Sequence, residues 1–528
     1  MEYKVLITSA GTGSRLGKWT NNINKSLITI YDKPAISYII EKFSKNIEIV
    51  LAVGYKAELL KDFIRIAYPD RTIRFVDVDP YDGPGSGLGY TILRCEQYLQ
   101  CPFIFFANDT IVLEDIPKPD HNWCGYDEIY NNILYRSFKI VDGIIEDVND
   151  VGHKIKAPAA IGLHGIFNYE EFWKAMNEGI SFGSIYTGEL YGIKKILDCK
   201  FKSIKFTWFD AGCIEGIEKS TKYFDTKEYN ILPKQDESIW FIEDKVIKYS
   251  NDKDFIFERI ERNKRLNGLI PKIIDHRENM YSYKFIKGSV LSKCVNLTIF
   301  DNLLEELKKF WKNYPILDYE KKEFKKKCIE FYKTKTLKRL KNYFIKYDYE
   351  DQEELINGIR VPKVLELMEK IDWENLSNGI PVAFHGDLHF ENIILTEISN
   401  FILLDWRQNF AGNLDYGDIY YDLAKLLHGI IVSHEIVNKE LYFIKNEDES
   451  ILSTIYRNQI YVEIEEAFYK FLKEGGYDIK KVKILTALIY LNIASLHHYP
   501  YSKFLFFYGK YMLNNILLND EKYYVTEQ

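Results

Sequence analysis

A chain of 528 residues is too long to bury one hydrophobic core and predicts two or three domains. Its formal net charge of −7 offers no electrostatic case for nucleic acid, and seven cysteines with no C-x-x-C pair exclude a disulfide framework, which points to a reducing compartment. No apolar run is long enough to insert in a membrane, and the N-terminus enters a strand at once with no signal peptide, so a cytoplasmic location is expected. Along the chain, apolar runs at Lys4–Thr8, Ile47–Val53, Thr72–Val78 and Phe103–Ala107 predict strands. Helical stretches near Ala35–Ser44, Ala57–Ala67 and Gly87–Leu99 separate them. Such alternation predicts a parallel α/β sheet with its active site at the strand carboxyl ends.

The first strand runs directly into Ala10-Gly11-Thr12-Gly13-Ser14-Arg15-Leu16-Gly17. Glycines after a strand let backbone approach phosphates, and Arg15 adds a fixed positive fork. A dinucleotide fingerprint does not fit, because Gly17 comes four positions after Gly13 instead of three, and a P-loop fails for want of a closing Gly-Lys-Ser/Thr. With Asn24-Lys25-Ser26-Leu27 and Asp32-Lys33-Pro34, the opening resembles the sugar nucleotidyltransferase superfamily, whose start reads approximately AAGxGxRL followed by Pro-Lys and Gly-Lys-Pro. Ser9, Asn24 and Asp32 depart from that pattern without removing a charge that binds nucleotide, and the Lys25-Ser26-Leu27 form is also similar to bacterial phosphocholine cytidylyltransferases. The resemblance implies Ala10, Gly11 and Gly13 at the nucleotide, Arg15 and Lys25 along the triphosphate, and Mg²⁺ on Asp109 and on Asp210 of Trp208-Phe209-Asp210-Ala211-Gly212. The loop Asp82–Gly89, through Ser86 and Gly87, is suited to approach base and ribose.

A polar segment with no sustained period, about 226–237, reads as the linker between a nucleotidyltransferase domain over 1–225 and a second domain over 238–528. Ser238 to Tyr249 looks like two strands around a Glu-Asp-Lys turn, and Asp254–Leu266 like a helix. Tyr281–Gly288 looks like a third strand. Basic residues from Lys321 to Arg339 sit on a further helix and read as a solvated face, with an anionic partner as the alternative. Then comes His385-Gly386-Asp387-Leu388-His389-Phe390-Glu391-Asn392, with Leu404-Asp405-Trp406 after a short apolar strand. An Asp followed at the fifth position by Asn puts a hydroxyl-orienting carboxylate and a metal-binding amide on one loop, and Asp405 supplies the second metal charge. The stretch from Asp422 through Leu518 reads as helical with few turns.

Those residues resemble the aminoglycoside phosphotransferase and choline kinase family, whose loop reads HGDxHxxN with a following IDW. The resemblance covers about Ile231 to the C-terminus and implies a protein-kinase-like α+β fold of a small β-rich lobe and a mainly helical lobe. It further implies ATP phosphates on Lys248, an ion-pair partner for that lysine at Glu261, and adenine against the Tyr281–Gly288 strand. Catalysis would rest on Asp387, with Mg²⁺ on Asn392 and Asp405. The two resemblances together predict a bifunctional transferase. A kinase would use ATP to phosphorylate a small sugar, polyol or amino alcohol, and the first domain would join the phosphomonoester to a second NTP, CTP or another, for cell-surface polysaccharide or capsule. Narrower alternatives are a choline or ethanolamine pathway with CTP, or an active nucleotidyltransferase with a regulatory pseudokinase. Homo-oligomerisation is left open.

Overall fold

Strands covered on both faces need continuous apolar runs, and Ile49–Val53 and Phe103–Ala107 supply them. In the computed structural model they flank Lys4–Ser9 in parallel register, Val5 standing opposite both Ile49 and Ile104. The structure describes residues 2–129, 131, 133–153, 156–226, 236–266, 268–447 and 450–518. Two compact units divide it, Met1–Ile256 with Ile274–Phe285, and Phe257–Ile273 with Ile286–Gln528.

Among the described residues the first unit is built on a nine-stranded sheet. Its order is Ile73–Asp77, Ile49–Val53, Lys4–Ser9, Phe103–Ala107, Ala159–Ile166, Trp123–Asp127, Phe201–Lys205, Ile144–Asn149 and Ser137–Val141. The first four strands are mutually parallel, and Trp123–Asp127 and Phe201–Lys205 form a further parallel pair. Ala159–Ile166 runs antiparallel to Phe103–Ala107, so the sheet is mixed and not parallel throughout as the alternation predicts. A hairpin adds a further antiparallel pair: Asp142 and Gly143 both take positive φ, 48° and 76°, in the turn that returns Ile144–Asn149 antiparallel to Ser137–Val141. Successive residues of Lys4–Ser9 serve opposite faces, Val5 and Ile7 packing with Ile36, Leu60 and Phe63, and Leu6 with Ile92, Phe172 and Met176. This makes an α/β/α sandwich. The helix Ala57–Ala67 lies where the periodicity places it, while Ala35–Ile40 and Leu88–Leu93 are shorter than expected.

Glu237–Ile242 and Lys245–Ser250 do form the expected hairpin, joined by Met280–Lys284 and Ile273–Arg277 in a four-stranded sheet. Its strands up to Ser250, and Met280–Lys284, belong to the first compact unit. Trp240 is the reason: fully buried, it donates to Thr29 Oγ1 at 2.8 Å and meets Phe63 edge-on at 5.1 Å. The linker expected at 226–237 lies mostly outside the described residues.

The second unit is mainly helical. The basic stretch forms Asp318–Ile329, a π-helical turn Glu330–Thr334 and Lys335–Tyr347. A small sheet of Gly288–Val290, Ile393–Thr396 and Phe401–Leu403 carries the catalytic-loop motif. Beyond it run the helices Ile419–Ile431, Gln459–Glu474, Ile479–Ala494 and Tyr501–Leu518. A hairpin, Tyr442–Glu447 with Ser450–Ile455, interrupts the run expected to be helical through Leu518. The aromatic and β-branched run Tyr442-Phe443-Ile444 is strand-like chemistry that aromatic abundance elsewhere obscures. Among the described residues no helix is long and apolar enough to cross a membrane.

Candidate active sites

Parallel pairing of Lys4–Ser9 with Phe103–Ala107 sets Thr8 opposite Ala107, so the loops leaving both strands start side by side. Gly13 takes φ +71°, and a Cβ there would come within 3.0 Å of Lys25 Cβ, so only glycine lets the lysine pass so close. At Gly11 an added Cβ would meet nothing within 4 Å, leaving that backbone open to a ligand. Lys25 Nζ reaches Asp109 Oδ2 at 3.1 Å, and Arg15 Nη2 stands 3.5 Å from the same oxygen. Burial alone would raise the Asp109 pKa, but Lys25 and then Arg15 outweigh it and hold the carboxyl below its usual range.

Asp210 arrives by a different route. Trp208–Asp210 pairs antiparallel with Thr110–Val112, placing Asp210 opposite Thr110, and Ala211 N–H donates to the Asp109 carbonyl at 2.8 Å. Asp210 Oδ1 accepts from Gly212 N at 2.8 Å and Oδ2 from the Tyr135 hydroxyl at 2.9 Å. A Cβ added at Gly212 would lie 2.7 Å from Arg15 Nη2, 2.8 Å from Asp109 Oδ2 and 2.9 Å from Asp210 Oδ1. Three of the four expected charged groups thus converge on one point, and Lys25 touches the fourth corner through Asp109. Ser86 and Gly87 make no hydrogen bond to this group among the described residues; Ser86 Oγ donates to Gly83 O, and a Cβ at Gly87 would strike Ile185 O at 2.4 Å. Ala10 is buried, and its carbonyl accepts from Tyr55 N–H at 2.8 Å.

The departures from the motif have a physical account. Asn24, wholly buried, donates to the Ser9 and Tyr55 carbonyls at 3.3 and 2.6 Å and accepts from Ser26 N at 2.9 Å. Ser26 Oγ bonds Ser9 Oγ at 3.0 Å and accepts from Asn108 Nδ2 at 2.7 Å. Ser9, Asn24, Ser26 and Asn108 are one satisfied polar network beneath the charged groups, which fixes the loop bearing Lys25 to the strand end bearing Asp109.

In the second unit, Ile393 pairs with Leu403, and Leu404 N–H donates to Asn392 O at 2.7 Å, so Asn392 and Asp405 leave neighbouring strand ends. Asp405 takes the left-handed conformation, φ 59°, and its Oδ1 lies 3.0 Å from Arg259 Nη1. Asn392 Nδ2 donates to Asp387 O and Oδ2 at 3.0 and 3.2 Å, and among the described residues its amide oxygen receives no hydrogen bond. Lys425 Nζ meets Asp387 Oδ1 at 2.7 Å. Burial opposes ionisation of Asp387, yet Lys425 and then His389 hold its pKa well below the usual carboxylate range. The loop itself hangs from Asp422, whose carboxylate accepts from His385 N at 2.7 Å, Gly386 N at 2.6 Å and Trp311 Nε1 at 2.9 Å. Burial pushes the Asp422 carboxyl up to about 6 and the His385 imidazole down to about 3, so His385 is neutral at physiological pH. Glu261 is engaged by Lys264 and Arg265 on its own helix, whereas Glu258 accepts from Asn409 Nδ2 at 2.5 Å. Lys248 is buried on Lys245–Ser250, a strand of the first compact unit and not of the second.

Tyr135, Arg259, Asp422 and Lys425 escaped the sequence reading. Asp418, Asp422 and Lys425 stand at i, i+4 and i+7 on Ile419–Ile431 and its cap, one helix face, and that spacing was the available signal. Among the described residues no three His, Cys, Asp or Glu side chains form a metal group. Two protein oxygens per site nevertheless fit Mg²⁺, which keeps waters and takes substrate phosphates beside one or two carboxylates. A cavity of about 690 Å³ lined by Tyr343, Glu354, Arg360, Lys503 and Phe507 contains none of these residues.

Comparison with known proteins agrees with both resemblances. The "Phosphotransferase enzyme family" matches residues 317–439. The N-terminal part is 27% identical over 241 residues to bifunctional protein GlmU of Methanococcus vannielii, covering 43% of this chain and 56% of that protein. It is 29% identical over 111 residues to D-glycero-alpha-D-manno-heptose 1-phosphate guanylyltransferase of Campylobacter jejuni, covering 20% of this chain and 50% of that one. The chain spans about half the length of these relatives. Among solved structures, CTP:phosphocholine cytidylyltransferase from Streptococcus pneumoniae aligns over 43% of this chain and 100% of its own, at 18% identity and a TM-score of 0.35. An N-terminal part similar to nucleotidyltransferases thus precedes a segment, residues 317–439, that matches a phosphotransferase family.

Proposed function

We propose that the chain performs two successive transfers. The second unit moves the γ-phosphoryl group of ATP to a hydroxyl of a small sugar, polyol or amino alcohol, and the first joins the resulting phosphomonoester to an NTP with release of pyrophosphate. The observation that carries this reading is the pair of separate charged constellations, Arg15–Lys25–Asp109–Asp210 and Asp387–Asn392–Asp405–Lys425.

In the kinase step the acceptor oxygen attacks the γ-phosphorus, the bond from that phosphorus to the β,γ-bridging oxygen breaks, and ADP departs. Asp387, ionised through the physiological range, orients the hydroxyl and receives its proton as the new P–O bond forms. Lys425 holds the Asp387 carboxylate in place, and Asn392 and Asp405 would hold Mg²⁺. In the second step a phosphomonoester with second pKa near ~6 is already a dianion, so it attacks the α-phosphorus of the NTP without a protein base. Arg15 and Lys25 supply fixed positive charge along the triphosphate, and Asp109 and Asp210 would hold Mg²⁺. The metal, when bound at either site, neutralises phosphate charge and aligns the groups. The product would be an NDP-activated precursor for a glycan-building transferase.

The test is separation of activities in the intact chain. Asp387→Asn should abolish ADP release while pyrophosphate release from a supplied phosphomonoester continues; Asp109→Ala should do the reverse. Loss of both activities in either folded variant would sink the reading.

A further inference from the structure

Beside the proposed phosphoryl-transfer carboxylate stands a group of cations that the kinase chemistry above does not use. Arg407 follows Asp405 by two residues, and a Cβ added at Gly386 would lie 2.5 Å from Arg407 Cβ, so its side chain runs directly against the residue before Asp387. Its guanidinium carbon sits 4.8 Å from the centre of the Phe331 ring, and its Nε is buried without a hydrogen-bond partner among the described residues. Lys335 Nζ lies over the same ring at 4.4 Å and over Tyr421 at 5.6 Å. Arg339 follows one helical turn later on Lys335–Tyr347. Among the described residues none of the three meets a carboxylate within salt-bridge distance.

Gathering like charges in a half-buried place is unfavourable unless something anionic completes it. Burial, and then Arg407, Lys425 and Arg339, press the Lys335 ammonium well below its usual range, with Asp387 the carboxylate whose charge opposes that. Aromatic faces beneath two of the cations fix their direction without neutralising them. Asp387, already matched by Lys425, cannot balance the remainder. An ammonium-bearing acceptor would enter against this field; a carboxylate or phosphate would be drawn into it and find guanidinium forks.

We propose that the alcohol phosphorylated by the second unit is itself an anion, a hydroxy acid or a phosphorylated polyol, whose acidic group is held by Lys335, Arg339 and Arg407 while its hydroxyl faces Asp387. The inference rests on the kinase reading and narrows its acceptor away from amino alcohols. It also gives the basic helix an anionic ligand in place of a plain solvated face.

The test uses the full chain, ATP, and acceptors matched in skeleton: glycerol, glycerate, glycerol 3-phosphate, and 3-aminopropane-1,2-diol with choline. ADP release and product mass are read together. Turnover is expected with an acidic member, glycerate and glycerol 3-phosphate distinguishing carboxylate from phosphate. Lys335→Gln and Arg339→Gln should each raise the KM for that acceptor about tenfold, the loss of one charge-assisted contact, with the KM for ATP unchanged. Turnover confined to the neutral or ammonium alcohols would overturn the inference and leave the kinase reading standing. A rise in the KM for ATP instead of the acceptor would overturn it too, assigning the cations to the triphosphate. Absence of phosphorylation with every class would remove the kinase reading itself, and the inference with it.

Discussion

At Gly212 the absence of a side chain is what lets Arg15, Asp109 and Asp210 face one another, since an added Cβ would stand within 3 Å of all three. Gly212→Ala should therefore lower nucleotidyl transfer about a hundredfold or more by displacing charged groups an ångström or so, with ATP-dependent phosphorylation unaffected. Pyrophosphate and ADP assays on one preparation check both halves of that expectation. Lys25 carries a second, pH-dependent consequence. Because the folded pKa of Asp109 lies below its unfolded value, the Lys25–Asp109 pair contributes stability that is full above about pH 4 and fades as pH falls through the folded pKa. Lys25→Met should cost about 1–2 kcal/mol in urea unfolding at neutral pH, and the gap from the parent should narrow in acid. The convergence of Arg15, Lys25, Asp109 and Asp210 was foreshadowed by short local motifs: the glycines around Arg15, Asn24-Lys25-Ser26-Leu27, the strand end before Asp109, and Trp208-Phe209-Asp210-Ala211-Gly212. Tyr135 and Arg259 were not: each reaches its carboxylate across more than seventy residues, and no nearby residue announces the contact.

Among elements, the helix Ile419–Ile431 does more than fill the helical unit. Asp418 caps it, accepting from Tyr420 N at 3.2 Å, Asp422 suspends the loop before Asp387 by two backbone N–H groups, and Lys425 meets Asp387. Asp422→Ala would leave both N–H groups buried and unpaired, so it should destabilise the second unit by about 3 kcal/mol or more and abolish phosphorylation even where folded protein is recovered. Thermal unfolding with parallel turnover assays measures each part. The strand Glu237–Ile242 illustrates the limit of pattern reading. Its apolar run was visible, yet which body its Trp240 would enter depends on Thr29 and Phe63, more than 170 residues away. Trp240→Ala should cost about 3–5 kcal/mol and register as loosening of the nucleotidyltransferase-like unit, seen by hydrogen exchange across Lys4–Ser9 and Ile49–Val53. The hairpin Tyr442–Glu447 with Ser450–Ile455 was misread for a related reason: aromatic residues are so frequent in this chain that their strand preference carries little weight beside long helices.

At the scale of the whole molecule, the order of the two proposed reactions follows from charge and not from position in the chain. An alcohol is a poor nucleophile at phosphorus and needs Asp387, whereas the phosphomonoester it becomes is already ionised and needs only neutralising charge, which is what Arg15 and Lys25 offer. On the proposed function the kinase therefore acts first. A phosphomonoester released by one molecule is chemically stable and competent for another, so folded Asp387→Asn and Asp109→Ala chains, each unable to complete the sequence, should together restore formation of the NDP-activated product. Restoration should show a lag, as the intermediate builds toward the KM of the nucleotidyltransferase site, and should shorten as the Asp109→Ala chain is raised in proportion. Mass spectrometry of the mixture follows intermediate and product in time. Failure of the mixture, with each half-reaction intact in its own variant, would mean that the intermediate passes between sites without entering solution; a lag-free recovery would contradict the sequence of steps, because the nucleotidyltransferase would then be working on something the kinase does not make.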